Sequence, residues 1–166
     1  AVGSALNLGL TPDDVWLAAV PIFHISGLSI MMRSLIYGMG VSLYERFDVA
    51  KINAELMAGQ VTTISVVPVM LKQLLAQLPE GAKYHDRFRT MLLGGGPTDL
   101  TTLEKATAAG IEIVQSYGMT ETASQVIALD AASATQKLGS AGKPLFPVEV
   151  RIQKATDNDK VGRIQI

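Results

Sequence analysis

Six consecutive residues carry the densest chemistry in the chain: Ser116, Tyr117, Gly118, Met119, Thr120 and Glu121. They follow Ile111-Glu112-Ile113-Val114, an apolar run that reads as a short buried strand. Gly118 is expected to break that strand with a flexible backbone position. An aromatic ring, a hydroxyl and a carboxylate then stand close together. They offer a flat apolar face for a base, a donor for a phosphate and a hard oxygen ligand for Mg²⁺. The plainer alternative is a strand-to-helix turn, with Tyr117 in the core and Thr120-Glu121 opening a helix.

Two more glycine-rich turns flank this stretch: Leu92-Leu93-Gly94-Gly95-Gly96-Pro97 before it and Gly139-Ser140-Ala141-Gly142-Lys143-Pro144 after it. Gly94, Gly95 and Gly96 remove side chains where a flat ring or a phosphate must approach the backbone. No Gly-Lys-Ser/Thr follows them, so they are not a Walker P-loop. In this order the three segments resemble the adenylate-forming ligases, a superfamily of acyl- and aryl-CoA synthetases, luciferases and peptide-synthetase adenylation domains. The resemblance covers essentially the whole chain. It implies that Gly94, Gly95, Gly96, Pro97, Ser116, Tyr117, Gly118, Met119 and Thr120 bind the nucleotide, with adenine between the glycine turn and the Tyr117 ring. It also implies that Thr120 contacts the α-phosphate and that Glu121 holds Mg²⁺. The turn at Gly139, Gly142, Lys143 and Pro144 reads as structural. In such ligases the catalytic lysine sits in a small C-terminal domain, so Lys143 is not expected to take that role.

His24 lies in Pro21-Ile22-Phe23-His24-Ile25-Ser26-Gly27-Leu28. On residue type alone it is a packed or capping histidine, and no Ser or Cys beside it suggests a hydrolytic triad. The resemblance implies instead that His24 gates an acyl pocket. Ser26, Ser29, Arg33 and Tyr37 recur at three- and four-residue spacing, on one helix face. That face is either solvated or part of a pocket. The segments around His24 to Arg33 and Tyr117 to Gln125 are similar to one subfamily, the o-succinylbenzoate–CoA ligases of menaquinone synthesis. Their substrate carries a second carboxylate, for which a guanidinium is a fitting partner. His24, Ser26, Arg33 and Ser124 are therefore the expected acid-binding residues. Ser124 and Gln125 either line the pocket or lie on a surface helix.

The resemblance implies an AMP-forming acid–CoA ligase that uses ATP, Mg²⁺ and coenzyme A on a small aromatic acid, with His24, Thr120 and Glu121 serving the reaction. The alternatives are another aryl- or fatty-acid–CoA ligase, an adenylation domain that loads a carrier protein, or a non-catalytic nucleotide-binding module. An amino-acid pocket typically has an Asp to meet the ammonium, and none stands in the helix after His24.

The elements that must position these groups alternate. Val15 to Val20, Val41 to Tyr44, Thr62 to Val67, Thr90 to Leu93 and Ile111 to Val114 read as strands. Between them lie helices over Ile25–Met39, Asp48–Gly59, Val69–Leu78 and Thr101–Ala109. Pro68 suits a first helical turn, and Thr101-Thr102-Leu103-Glu104 has capping-box spacing. Ile25, Leu28, Met32, Leu35, Ile36 and Met39 form the apolar stripe of the first of these helices. Val148–Gln153 and Gly162–Ile166 alternate like a hairpin with Asp157-Asn158-Asp159 in its turn. The expected fold is α/β: a mainly parallel sheet flanked by helices, plus a β-rich C-terminal hairpin, as part of the large domain of an adenylate-forming enzyme. Residues 1–145 are assigned to the adenylation core and 146–166 to the start of a β-rich subdomain.

The 166 residues suffice for one core, and nearly half of them are apolar. Fourteen basic against fifteen acidic side chains leave no basic stripe for nucleic acid or an anionic membrane. The absence of cysteine excludes disulfides, thiolate metal sites and cysteine nucleophiles. No span of apolar residues suits a bilayer and no signal peptide is apparent, so a cytoplasmic location is the default. Both ends read as cut, and the chain is expected to be a piece of a longer enzyme. By itself it should not ligate acid to CoA; thioester formation from ATP, CoA and acid by the purified 166-residue chain would contradict that.

Overall fold

The strands at the centre are short and apolar on both faces, the pattern of parallel strands covered by helices on each side. In the computed structural model, which describes residues 1–156 and 159–166, the first is β1 (Val15–Ala18). It pairs in parallel with β2 (Gly40–Leu43) on one side and β3 (Thr63–Val66) on the other. β4 (Thr90–Leu93) and β5 (Ile113–Met119) extend the parallel run. Then the direction reverses: β6 (Ser124–Leu129) and β7 (Lys143–Pro144) add antiparallel, giving the order β2-β1-β3-β4-β5-β6-β7. A separate antiparallel hairpin pairs β8 (Arg151–Gln153) with β9 (Arg163–Gln165). The expected α/β sheet and C-terminal hairpin are both present; Asp157 and Asn158, read as part of the hairpin turn, lie outside the described residues.

The helices are punctuated as their ends dictate. α3 (Val49–Ala58) starts at Asp48, whose carboxylate accepts the Lys51 N–H, and ends at Gly59 in the left-handed conformation. α4 (Pro68–Gln77) opens on Pro68, where a missing N–H costs nothing. α5 (Leu100–Ala108) is capped by Asp99, which accepts the Thr102 N–H at 2.9 Å. The expected capping box at Thr101 therefore does not form: Asp99, two residues earlier, takes the first-turn amide and also meets Lys72 of α4 at 2.8 Å. α3, α4 and α5 pack side by side, while α1 (Val2–Leu8) and α2 (Ile25–Tyr37) pack against β6. A short α6 (Ala131–Ala134) follows β6 and rests on β5.

The core is filled from both sides. Leu17, Ile64 and Met91 of the strands are fully buried in one cluster with Ile52, Leu56, Leu71 and Leu74 of α3 and α4, while Trp16, also fully buried, turns to the other face and meets Arg33 of α2. The loop before β4, which reads as polar, hides two aromatics in this core. Tyr84 donates to Asn53 Oδ1 at 2.6 Å, and Asn53 donates in turn to the Leu74 carbonyl. Phe88 meets the Tyr84 ring edge-on at 5.5 Å.

The sheet's N-terminal edge is clamped by one ion pair. Asp14, just before β1, is buried; it accepts from Arg89 just before β4 at 2.9 Å, from the Thr62 hydroxyl at 2.8 Å and from the Thr11 N–H at 2.7 Å. Burial alone pushes the Asp14 carboxyl up, but the Arg89, Thr11 and Thr62 hydrogen bonds and the Arg89 charge outweigh it and hold the group at about 2. A carboxyl held below its ordinary value of 3.8 stabilises the fold fully above that pH and progressively less as the pH falls toward 2. Asp14→Asn is therefore expected to destabilise the protein by roughly 3 kcal/mol at pH 7, because it leaves Arg89 without its counter-charge. In urea titrations at falling pH, the gap between wild type and variant should close below pH 3.8; a constant gap would contradict the account.

Candidate active site

In a sheet of order 2-1-3-4-5, crossover helices leave opposite faces on either side of β1, and a crevice opens at the carboxyl ends of the strands there. Two clefts occupy this edge. The first, about 450 Å³, runs from Val20 and His24 after β1, past Ser65–Val67 of β3, to Gly94, Thr120 and Glu121. The second, about 400 Å³, lies between Gly95–Pro97, Tyr117 and the Gly139–Ala141 turn. Gly95, Ser116 and Gly118 line both, so the clefts share one wall.

Every residue expected to bind nucleotide, acid or metal lines one of the two, whereas Tyr37, Gly142, Lys143 and Pro144 line neither. Gly96, Pro97 and Tyr117 belong to the second, and His24, Ser26, Arg33, Gly94, Met119, Thr120, Glu121 and Ser124 to the first. Tyr117 and the Gly95–Pro97 turn both line the second cleft. Gly95 sits at φ +81°, a conformation that other residues rarely adopt. Ser116 donates to the Leu93 carbonyl at 3.2 Å and ties β5 to the start of this turn.

The central motif is neither broken at Gly118, as expected, nor the strand-to-helix turn of the plainer alternative. β5 runs unbroken through Gly118 to Met119, turns through one 3₁₀ turn (Thr120–Thr122) and returns as β6. Gly118 serves close approach: it marks a bulge in the β5–β6 register, and a Cβ there would overlap the Ser124 carbonyl. The turn is held by one hydroxyl. Thr122 Oγ1 accepts the Met119 N–H at 3.0 Å and faces the carbonyls of Met119 and Ser124 at 3.0 and 2.9 Å. This presents Thr120 and Glu121 on the tip, both exposed to the first cleft. The two residues that follow, Ala123 (φ 53°) and Ser124 (φ 102°), are the positive-φ non-glycines among the described residues. Strain of this kind gathers where a side chain must be aimed.

Ser124 is aimed at Arg33. The Arg33 guanidinium donates to Ser29 Oγ at 2.8 Å and to Ser124 Oγ at 3.2 Å, and its Cζ lies 5.2 Å from the centroid of the Trp16 ring. Arg33 is 3% exposed, yet no carboxylate pairs with it among the described residues, and its Nε has no partner at all. Burial pulls its pKa down to about 10, partly offset by Tyr37, so it remains a cation at neutral pH. The periodicity of α2 is thus inverted. Ser29, Ile30 and Arg33 face the protein, whereas Leu28, Met32, Leu35 and Ile36 of the apolar stripe are exposed, Leu35 by 81%. Two amphipathic faces were legible in the sequence; which of them meets this sheet was not.

His24 precedes α2 without capping it, lies exposed at the cleft mouth and stacks obliquely on Phe23 at 4.7 Å. Glu121 makes no ion pair, and no cluster of three or more His, Cys, Asp or Glu side chains occurs among the described residues. Glu121, an exposed carboxylate on the first cleft, is the donor type that suits Mg²⁺, which is commonly held by one or two carboxylates plus substrate phosphates. Sequence reasoning passed over Ser65 and Gln115 and took the Gly139–Ala141 turn as structural. All of these line a cleft. Ser65, a polar residue inside an otherwise apolar buried strand, carried the readable signal.

The open α/β sheet with two clefts at its carboxyl edge belongs to a known class. Residues 2–165 match the AMP-binding enzyme family, and the chain is a member of it. Within that class it is 59% identical over 152 residues to a 2-succinylbenzoate–CoA ligase of Listeria monocytogenes, covering 92% of this chain and 32% of the relative. It superposes with a TM-score of 0.86 and 45% identity on an O-succinylbenzoate coenzyme A synthetase of Bacillus subtilis in complex with ATP and magnesium ion, covering 99% of this chain and 33% of that one. The same enzyme in complex with the acyl-adenylate intermediate gives 0.86 and 45%, over 99% and 32%. The chain spans about a third of the length of these relatives.

The Thr122 clasp generates a direct expectation. Thr122→Val keeps the shape but removes the acceptor of the Met119 N–H. It should speed hydrogen exchange at that amide and lower stability by about 1 kcal/mol, with Thr122→Ser near wild type. Unchanged protection of the Met119 amide in Thr122→Val would show that the hydroxyl does not hold the turn.

Proposed function

We propose that this chain is the central part of the large domain of an AMP-forming o-succinylbenzoate–CoA ligase of menaquinone biosynthesis, working in the cytoplasm. Residues 1–145 form its adenylation core, and 146–166 begin a β-rich subdomain. One observation carries the substrate assignment: a buried, unpaired guanidinium lines the cleft next to the nucleotide cleft. A buried cation without a counter-charge is costly, and a ligand that brings a carboxylate removes that cost on binding. An acid with a second carboxylate meets the requirement; a fatty acid or benzoate does not.

In this reading the second cleft takes ATP, with adenine between Tyr117 and the Gly95–Pro97 turn. The acid enters the first cleft past His24, which gates it, with Ser26, Ser124 and Arg33 binding the succinyl side. The acid's reacting carboxylate attacks the α-phosphorus; the bond to the β-phosphate oxygen breaks, and pyrophosphate leaves. The thiol of coenzyme A then attacks the acyl carbon of the adenylate, loses its proton and displaces AMP. Thr120 donates from its hydroxyl to the α-phosphate, where negative charge builds up. Glu121 would hold Mg²⁺, which when bound offsets the charge of the phosphate oxygens. No covalent nucleophile from the chain is needed.

The test uses the intact ligase and measures AMP and thioester release with o-succinylbenzoate, benzoate, coumarate and a medium-chain fatty acid. Strong preference for o-succinylbenzoate is expected; preference for another acid would sink the substrate assignment and leave the adenylation chemistry standing. Arg33→Met should raise the KM for o-succinylbenzoate roughly 100-fold with the KM for ATP unchanged. It should also raise the unfolding midpoint, because an uncompensated buried charge has been removed. An unchanged KM for the acid would return Arg33 to a structural role.

A further inference from the structure

Trp16 is the one tryptophan in the chain; it is fully buried in β1 and lines neither cleft. Two contacts set its indole apart from the aliphatic core around it. Its Nε1–H donates to Ser65 Oγ at 3.1 Å, which fixes the ring plane, and its face lies 5.2 Å from the Arg33 guanidinium carbon. Ser65 and Arg33 both line the first cleft, so the indole joins two of its walls from behind. Arg33 needs such support. Two serine hydroxyls take one proton from each terminal nitrogen, Nε has no partner, and no carboxylate is paired with it among the described residues. The two bonds fix the outer edge of a flexible side chain, and the ring face supports the cation from behind. A desolvated cation over an indole gains considerably more than an exposed one.

We propose that Trp16 is a positioning residue for recognition of the diacid: its indole face, locked by Ser65, holds the Arg33 guanidinium charged and aimed into the cleft before the ligand arrives. The inference rests on the proposed role of Arg33. Without the ring, Arg33 can turn toward other partners, and the ligand must restore its orientation on binding. The effect therefore falls on the acid and not on ATP, whose cleft the indole does not approach.

The experiment is a series in the intact ligase. Trp16→Phe keeps a weaker ring face and loses the Ser65 bond; Trp16→Leu loses both. Tryptophan analogues with increasing numbers of ring fluorines, introduced at this position alone, keep the shape and the N–H while draining charge from the face. The KM for o-succinylbenzoate should rise roughly tenfold in Trp16→Leu, less in Trp16→Phe, and stepwise along the fluorinated series, with the KM for ATP constant. Should Trp16→Leu fail to fold, the fluorinated series decides alone. A flat acid KM across that series, in an enzyme where Arg33→Met raises it, overturns the role of Trp16 and leaves that of Arg33. An Arg33→Met enzyme with wild-type acid KM overturns the reading of Arg33 first, and this inference with it.

Discussion

A guanidinium buried with no carboxylate partner among the described residues is the constraint around which the site is arranged. Arg33 comes from α2, Ser29 from the turn before it, Ser124 from β6 and Trp16 from β1, so one charged group draws together a helix and two non-adjacent strands. Leaving such a group unpaired costs several kcal/mol that packing alone would never select. The backbone at Ala123 and Ser124 carries part of that cost, held at positive φ so that one hydroxyl reaches the cation. Under the proposed function, stability is given up here at a site that takes an anion.

That cost is tolerable because the sheet separates its tasks. At the N-terminal edge, Asp14, Thr62 and Arg89 tie β1, β3 and β4 together with a fully satisfied ion pair. At the C-terminal edge the same strands lead into Pro21, Pro68 and the Gly94–Gly96 turn, beside the two clefts. The polar groups of one edge find their partners within the protein. At the other, Arg33 Nε and Gln125 Oε1 have no partner among the described residues. Strand direction alone dictates which edge is which, since crossover connections leave the crevice at the carboxyl ends.

Much of this was legible because residue type and position agreed. The limits of β4, the cap at Asp48 and the proline opening α4 followed from side chains that have few other places to go. The misreadings have equally definite causes. Periodicity divides α2 into two faces but cannot say which one meets the sheet, and here the polar face does. The return strand β6 went unseen because its turn relies on left-handed alanine and serine, residue types that carry no signal for that conformation. Asp99 outcompeted Thr101 as a cap because it also meets Lys72 on the neighbouring helix, a contact no local pattern records. Trp16 reads simply as core until its neighbours are known.

The wall shared by the two clefts shows why the motif takes this form. Gly95, Ser116 and Gly118 are all small; Gly95 lies in the turn after β4 and the other two in the adjacent β5, where both clefts open. For an acid to attack the α-phosphorus, its carboxylate must pass from one cleft into the other, so the partition has to be low. A larger side chain at any of the three would raise it. At Gly118 the constraint is doubled, because a Cβ would also strike the Ser124 carbonyl and shift the residue that reaches Arg33. Under the proposed reaction, one missing side chain both opens the passage between acid and nucleotide and keeps the acid's recognition group in register.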